Sequence, residues 1–166
     1  RILPLTGCAK VFVQKLDVEA VKDFAEVVLQ PEQADAAIIR LSTPWVPVET
    51  DIPMARDFHH GDMDFKGEEN AAILELLDTL PTIVVIEMDR PAVFPEINQA
   101  ARAVLADFGA SDLAVLKVIF GLEAPQGRLP FELPSSMEAV RAQRSDVPSD
   151  SKDPLYPFGF GMSYED

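Results

Sequence analysis

The chemically richest stretch of this 166-residue chain runs from Ser42 to Lys66. It carries the carboxyls Glu49, Asp51, Asp57, Asp62 and Asp64, the guanidinium of Arg56, adjacent imidazoles at His59 and His60, and Trp45, the only tryptophan. A carboxyl held near an apolar wall has the chemistry of a general acid, and an indole offers a flat face on which a sugar can stack. The run His59-His60-Gly61-Asp62-Met63-Asp64 invites a metal reading. Adjacent histidines point in different directions, however, and no matching ligand cluster occurs elsewhere, whereas zinc takes three or four convergent ligands. Neither a metal nor a cofactor is expected. Glu87 and Asp89 form a second candidate group at the end of the most apolar run, where Asp89 and Arg90 read equally well as a local ion pair. Other chemistries lack their signatures. There is no GxGxxG, no GxxxxGK[ST] and no GxSxG. Cys8 is the only cysteine, so no internal disulfide can form.

These residues must be positioned by a regular framework. Lys10-Val-Phe-Val13, Glu26-Val-Val-Leu29, Ala36-Ala-Ile-Ile-Arg-Leu41, Thr82 to Met88 and Ala101 to Phe108 read as strands. The run 82–88 is apolar without alternation, as a parallel strand covered on both faces should be. Asp17 is placed to cap a first helix, and Gly67 to Leu80 carries Ile73, Leu76, Leu77 and Leu80 on one face before Pro81 stops it. Ser111 caps a further helix closed by Gly121, while Ser135 and Glu138 are spaced as a capping box. Leu129-Pro-Phe-Glu-Leu133 reads as a last edge strand. Strands alternating with helices define an α/β fold, a three-layer αβα sandwich with a mostly parallel, doubly wound sheet. In such sheets ligands bind beyond the carboxyl ends of strands, where the 42–66 loop departs. A loop this long inside a compact domain is usually functional or disordered.

An apolar fraction of 48% suffices for a single core, and a formal charge of −14 opposes nucleic-acid and anionic-membrane partners. No run approaches the roughly 18 apolar residues of a membrane span. The start, Arg1-Ile-Leu-Pro-Leu, reads like the middle of a longer chain; compartment is left open. The expected organisation is one domain over 1–166, with 145–166 as an extended tail.

Three stretches in fixed order resemble family 3 glycoside hydrolases. Gly121-Leu-Glu-Ala-Pro-Gln-Gly-Arg-Leu-Pro130 is similar to that family's "FG…PSGRLP" signature, and Tyr156-Pro-Phe-Gly-Phe-Gly-Met-Ser-Tyr164 to its "YPFGYGLSY" ending. Pro81-Thr-Ile-Val-Val-Ile with Arg90-Pro91 is similar to "PTVVV…RP". The family's "PGxEGG" stretch reads Asp107-Phe-Gly-Ala-Ser-Asp112 here. The resemblance implies the C-terminal α/β domain of a retaining, exo-acting β-glycosidase, whose nucleophilic aspartate lies on an N-terminal (β/α)8 barrel. A barrel of about 250 residues cannot fit in this chain. The implied partners are that barrel and a β-linked glycoside. The family's "PYxE…GD" stretch corresponds to Pro44-Trp45, Glu49 and Gly61-Asp62. Glu49 is therefore the candidate acid/base, with Trp45, His60 and Asp62 as substrate-binding candidates. Two rivals stand beside this: a non-catalytic structural or carbohydrate-binding module packed on the barrel, and a flavodoxin-like or receiver-like signalling domain. The latter needs acidic residues after the first strand, where Gln14-Lys15 stand instead.

Overall fold

The computed structural model describes residues 3–7 and 10–164, so Cys8 lies outside the described residues. Five parallel strands form one sheet in the order β2-β1-β3-β4-β5. They are β1 Lys10–Gln14, β2 Glu26–Val28, β3 Ala36–Ser42, β4 Thr82–Glu87 and β5 Ala103–Asp107. The central pair is long and in register from Ala37 opposite Thr82 to Ser42 opposite Glu87.

Alternating side chains of β3 and β4 divide the core. Ile39, Leu41, Val84 and Ile86 face one layer, where α2 (Gly67–Thr79) and α3 (Pro95–Ala100) contribute Ile73, Leu77 and Ile97. Ile38, Ile83 and Val85 face the other, against Val21 of α1 (Val18–Lys22) and Val115, Leu116 and Ile119 of α4 (Asp112–Ile119). This is the expected three-layer sandwich. The central isoleucines are fully buried, each contributing about 1.5–3 kcal/mol relative to exposure. No described helix is long and apolar enough to cross a membrane.

The expected caps at Asp17 and Ser111 form, accepting from the amides of Glu19 and Ala114. After α4 the chain reverses at Gly121, with φ +77°. Gly121 N–H donates to Val118 O and Leu122 N–H to Lys117 O, the paired bonds of a Schellman stop. A Cβ on Gly121 would sit 2.6 Å from Pro4 Cβ, so both the turn and the packing require glycine.

Three expectations change. The fifth strand is shorter than 101–108, because Pro95 at the first helical turn starts α3, which ends only at Ala100. Leu129-Pro-Phe-Glu-Leu133 does not join the sheet. Pro130 has no N–H to give a ladder, and the segment pairs instead with the C-terminal tail: Leu129 N–H donates to Phe160 O at 2.9 Å, and Leu133 exchanges bonds with Tyr156. The last helix, α5 (Met137–Ala142), is capped by Ser136 rather than Ser135, with Ser136 Oγ accepting from Ala139 N–H.

Candidate active site

The β3–α2 connection leaves the sheet at Thr43, which is itself buried. Thr43 N–H donates to Glu87 O, and its hydroxyl to Arg90 O, tying the start of the loop to the turn after β4. Farther out, the loop folds back on itself through an antiparallel bridge between Val46 and His60. Gly61 lies under Val46 with φ +86°, and a Cβ there would meet Val46 Cγ2 at 2.7 Å. A short 3₁₀ turn at Pro53–Asp57 forms the tip, leaving Ile52, Met54 and Phe58 exposed.

Arg90 holds both legs of this hairpin. Its guanidinium donates to the carbonyls of Pro44, His60, Gly61 and Asp62. Asp89 does not pair with Arg90 but accepts from His59 Nδ1–H. The His59 ring stacks on Trp45, with centroids 4.0 Å apart and planes inclined by 17°. Trp45 is still 41% exposed, so ring surface remains open beyond the stack.

The four sequence candidates share the loop but not one constellation. Glu49 is exposed and, among the described residues, makes no hydrogen bond or ion pair. His60 turns back on its own loop, its Nε2–H donating to Pro47 O at 2.9 Å. Asp62 is occupied by two cations: Oδ2 accepts from Lys66 at 2.5 Å and Oδ1 from Arg141 of α5 at 2.9 Å. The Lys66 hydrogen bond chiefly, with its charge and Arg141, holds the Asp62 carboxyl below its ordinary range. Asp62 and Asp64 in turn raise Lys66. His59 and His60 diverge as adjacent residues should. No group of three or more His, Cys, Asp or Glu among the described residues is placed to hold a metal.

The sequence reading missed His59 and Asp89 as a pair, and it missed Arg90 as the loop's clamp. It also missed Arg40, the one charge inside an otherwise buried strand. Arg40 donates to Asp107 at 2.9 and 3.0 Å, to Asp112 at 2.6 Å and to Ala110 O at 2.8 Å. Burial opposes its charge, yet the bonds and charges of Asp107, Glu87 and Asp112 outweigh that and raise its pKa. Asp107 also accepts from the amides of Gly109 and Ala110.

Fold and site together define a doubly wound α/β domain presenting one long, clamped loop at the carboxyl ends of its central strands. The chain belongs to the glycosyl hydrolase family 3 C-terminal domain family, whose model matches residues 2–164. It is 44% identical over 140 residues to β-glucosidase C of Emericella nidulans, covering 84% of this chain and 22% of that protein. It is 37% identical over 166 residues to a periplasmic β-glucosidase/β-xylosidase of Dickeya chrysanthemi, covering 98% of this chain and 25% of that one. A β-glucosidase structure from Chaetomella raphigera shares the fold with a TM-score of 0.77 at 13% identity, over 99% of this chain and 33% of that chain. One from Thermotoga neapolitana, in complex with glucose, superposes with a TM-score of 0.72 at 14% identity, over 98% and 35%. The chain thus spans about a quarter or less of these curated relatives' length.

Proposed function

We propose that this domain serves a retaining, exo-acting β-glycosidase of β-glucosidase type. Its 44–66 loop forms one wall of the sugar pocket, and Glu49 acts as the acid/base. The observation that carries the reading is the Arg90 clamp, which fixes an otherwise exposed loop carrying Trp45 and Glu49 beyond β3 and β4. In this scheme an aspartate on an N-terminal barrel attacks the anomeric carbon. Glu49 protonates the leaving oxygen and then, as carboxylate, takes a proton from the water that releases the sugar. Retaining chemistry sets such carboxyls about 5–5.5 Å apart. Trp45 stacks on the apolar face of the ring, while His60 and Asp62 shape the loop beside it. With only one of the two carboxyls in hand, the isolated chain is expected to leave an aryl β-glucoside intact.

Glu49→Gln in the full-length enzyme tests the assignment. A general acid contributes about 10²–10⁴-fold, so kcat should fall by that order on a glycoside with a poor leaving group and much less on an activated aryl glycoside. Equal, small losses on both would reject Glu49. That outcome would support a second reading, a non-catalytic module packed on the barrel, which the lack of any orienting partner for Glu49 among the described residues favours.

A further inference from the structure

We propose that His59 and Asp89 are positioning residues for Trp45, so that the three form one preorganised platform for the apolar face of a pyranose ring. The proposal rests on the reading of Trp45 as a sugar contact. An indole on an exposed loop rotates freely, and a ligand that stacks on it must first immobilise it. Here that ordering is built in. His59 covers one face of Trp45 at 4.0 Å, and Asp89 fixes the imidazole by accepting from Nδ1–H. Asp89 lies two residues past the end of β4, next to Arg90, whose guanidinium holds the carbonyl of Pro44 immediately before Trp45. Adjacent residues of one turn thus fix the backbone and the side chain of the platform separately. The outer ring nitrogen of His59, Nε2, has no hydrogen-bond partner among the described residues, leaving it available to a sugar hydroxyl. The same geometry explains why two neighbouring histidines divide their work: His60 bonds its own loop, and His59 reaches across to the sheet.

Because Trp45 is the only tryptophan, the fluorescence of the 166-residue chain, excited beyond the tyrosine absorption, reports on this one ring. Time-resolved anisotropy of the unaltered chain should show only the slow decay of whole-molecule tumbling. His59→Ala and Asp89→Ala should each add a fast local component with far-UV circular dichroism unchanged. Asp89→Asn, whose amide oxygen still accepts from Nδ1–H, should largely restore the slow decay, a rescue that a merely structural carboxylate would not give. Calorimetric titration of the full-length protein with methyl β-D-glucopyranoside should show about three- to tenfold weaker binding in the two alanine variants. Unchanged anisotropy in both alanine variants would overturn the positioning role. A fast component in the alanine variants of the chain, with the full-length variants binding the glucoside as tightly as the unaltered protein, would keep the positioning and overturn the sugar as its ligand.

Discussion

Two clusters lie at the same end of the sheet and are built on opposite principles. Around Arg40, charges are withdrawn from water: the Arg40 side chain is 14% exposed and that of Asp107 6%, and their partners include backbone amides and a carbonyl. Around Arg90, the loop is held mainly by its carbonyls, while Glu49, Trp45 and the outer nitrogen of His59 stay accessible. The first arrangement ties β3 to β5 and to the start of α4, at the end of the sheet where doubly wound folds commonly bind ligands. The second moves accessible chemistry outward, onto a clamped loop. Position at the carboxyl ends of strands therefore does not by itself mark a site. What distinguishes the two is whether the polar groups are consumed by one another or left over.

Removing a charge from each region sharpens the contrast. Asp107→Ala leaves Arg40 buried without its principal partner, and breaking such a pair costs about 3–5 kcal/mol. Urea unfolding of the 166-residue chain should show a loss of that size. A loss below about 1 kcal/mol would mean that the network is not a structural anchor. Arg90→Met should act locally, speeding amide exchange across 44–62 at least tenfold while Val84 and Val85 in β4 keep their protection. Equal acceleration in the strand would erase the distinction between loop and anchor.

The smallest expected effect is on the tie between the loop and α5. Asp62 is held below its ordinary value of 3.8, so this ion pair favours the anchored state above that value and is lost as pH falls through the lower, folded value. Lys66 is shifted upward, and its contribution persists until the solution is strongly basic. The tie should therefore be constant across neutral pH and release only in acid below the ordinary carboxylate range. The Met63 amide, which donates to Met137 Sδ of α5, is a local reporter of that release by NMR. A shift of this resonance near neutral pH would show that another group controls the contact.

What could be read from the sequence follows from how locally each feature is encoded. Continuous apolar runs marked β3 and β4, and Ser111 and Gly121 bracketed α4, because strand burial and helix caps are written in neighbouring residues. The 42–66 loop was visible as a long interruption of period. Pairings across the chain were not visible. The partner of Leu133 is Tyr156, that of His59 is Asp89, and that of Arg40 is Asp107. No spacing rule links positions so far apart. Arg40 did leave a trace, since a charge inside a buried strand must find partners. Pro95-Glu96 also carried the start signal of α3, too short to register as a period.

The central claim is that sugar is met by the clamped loop and not by the buried network behind it. Hydroxyl-radical footprinting of the full-length protein, with and without glucose, tests this most directly, because it reads side chains one by one. Trp45 and His59 should be protected by the sugar, while Met162, more open to solvent than Trp45 but on the C-terminal tail, should label unchanged. Labelling of Trp45 and His59 that is indifferent to glucose would contradict the account.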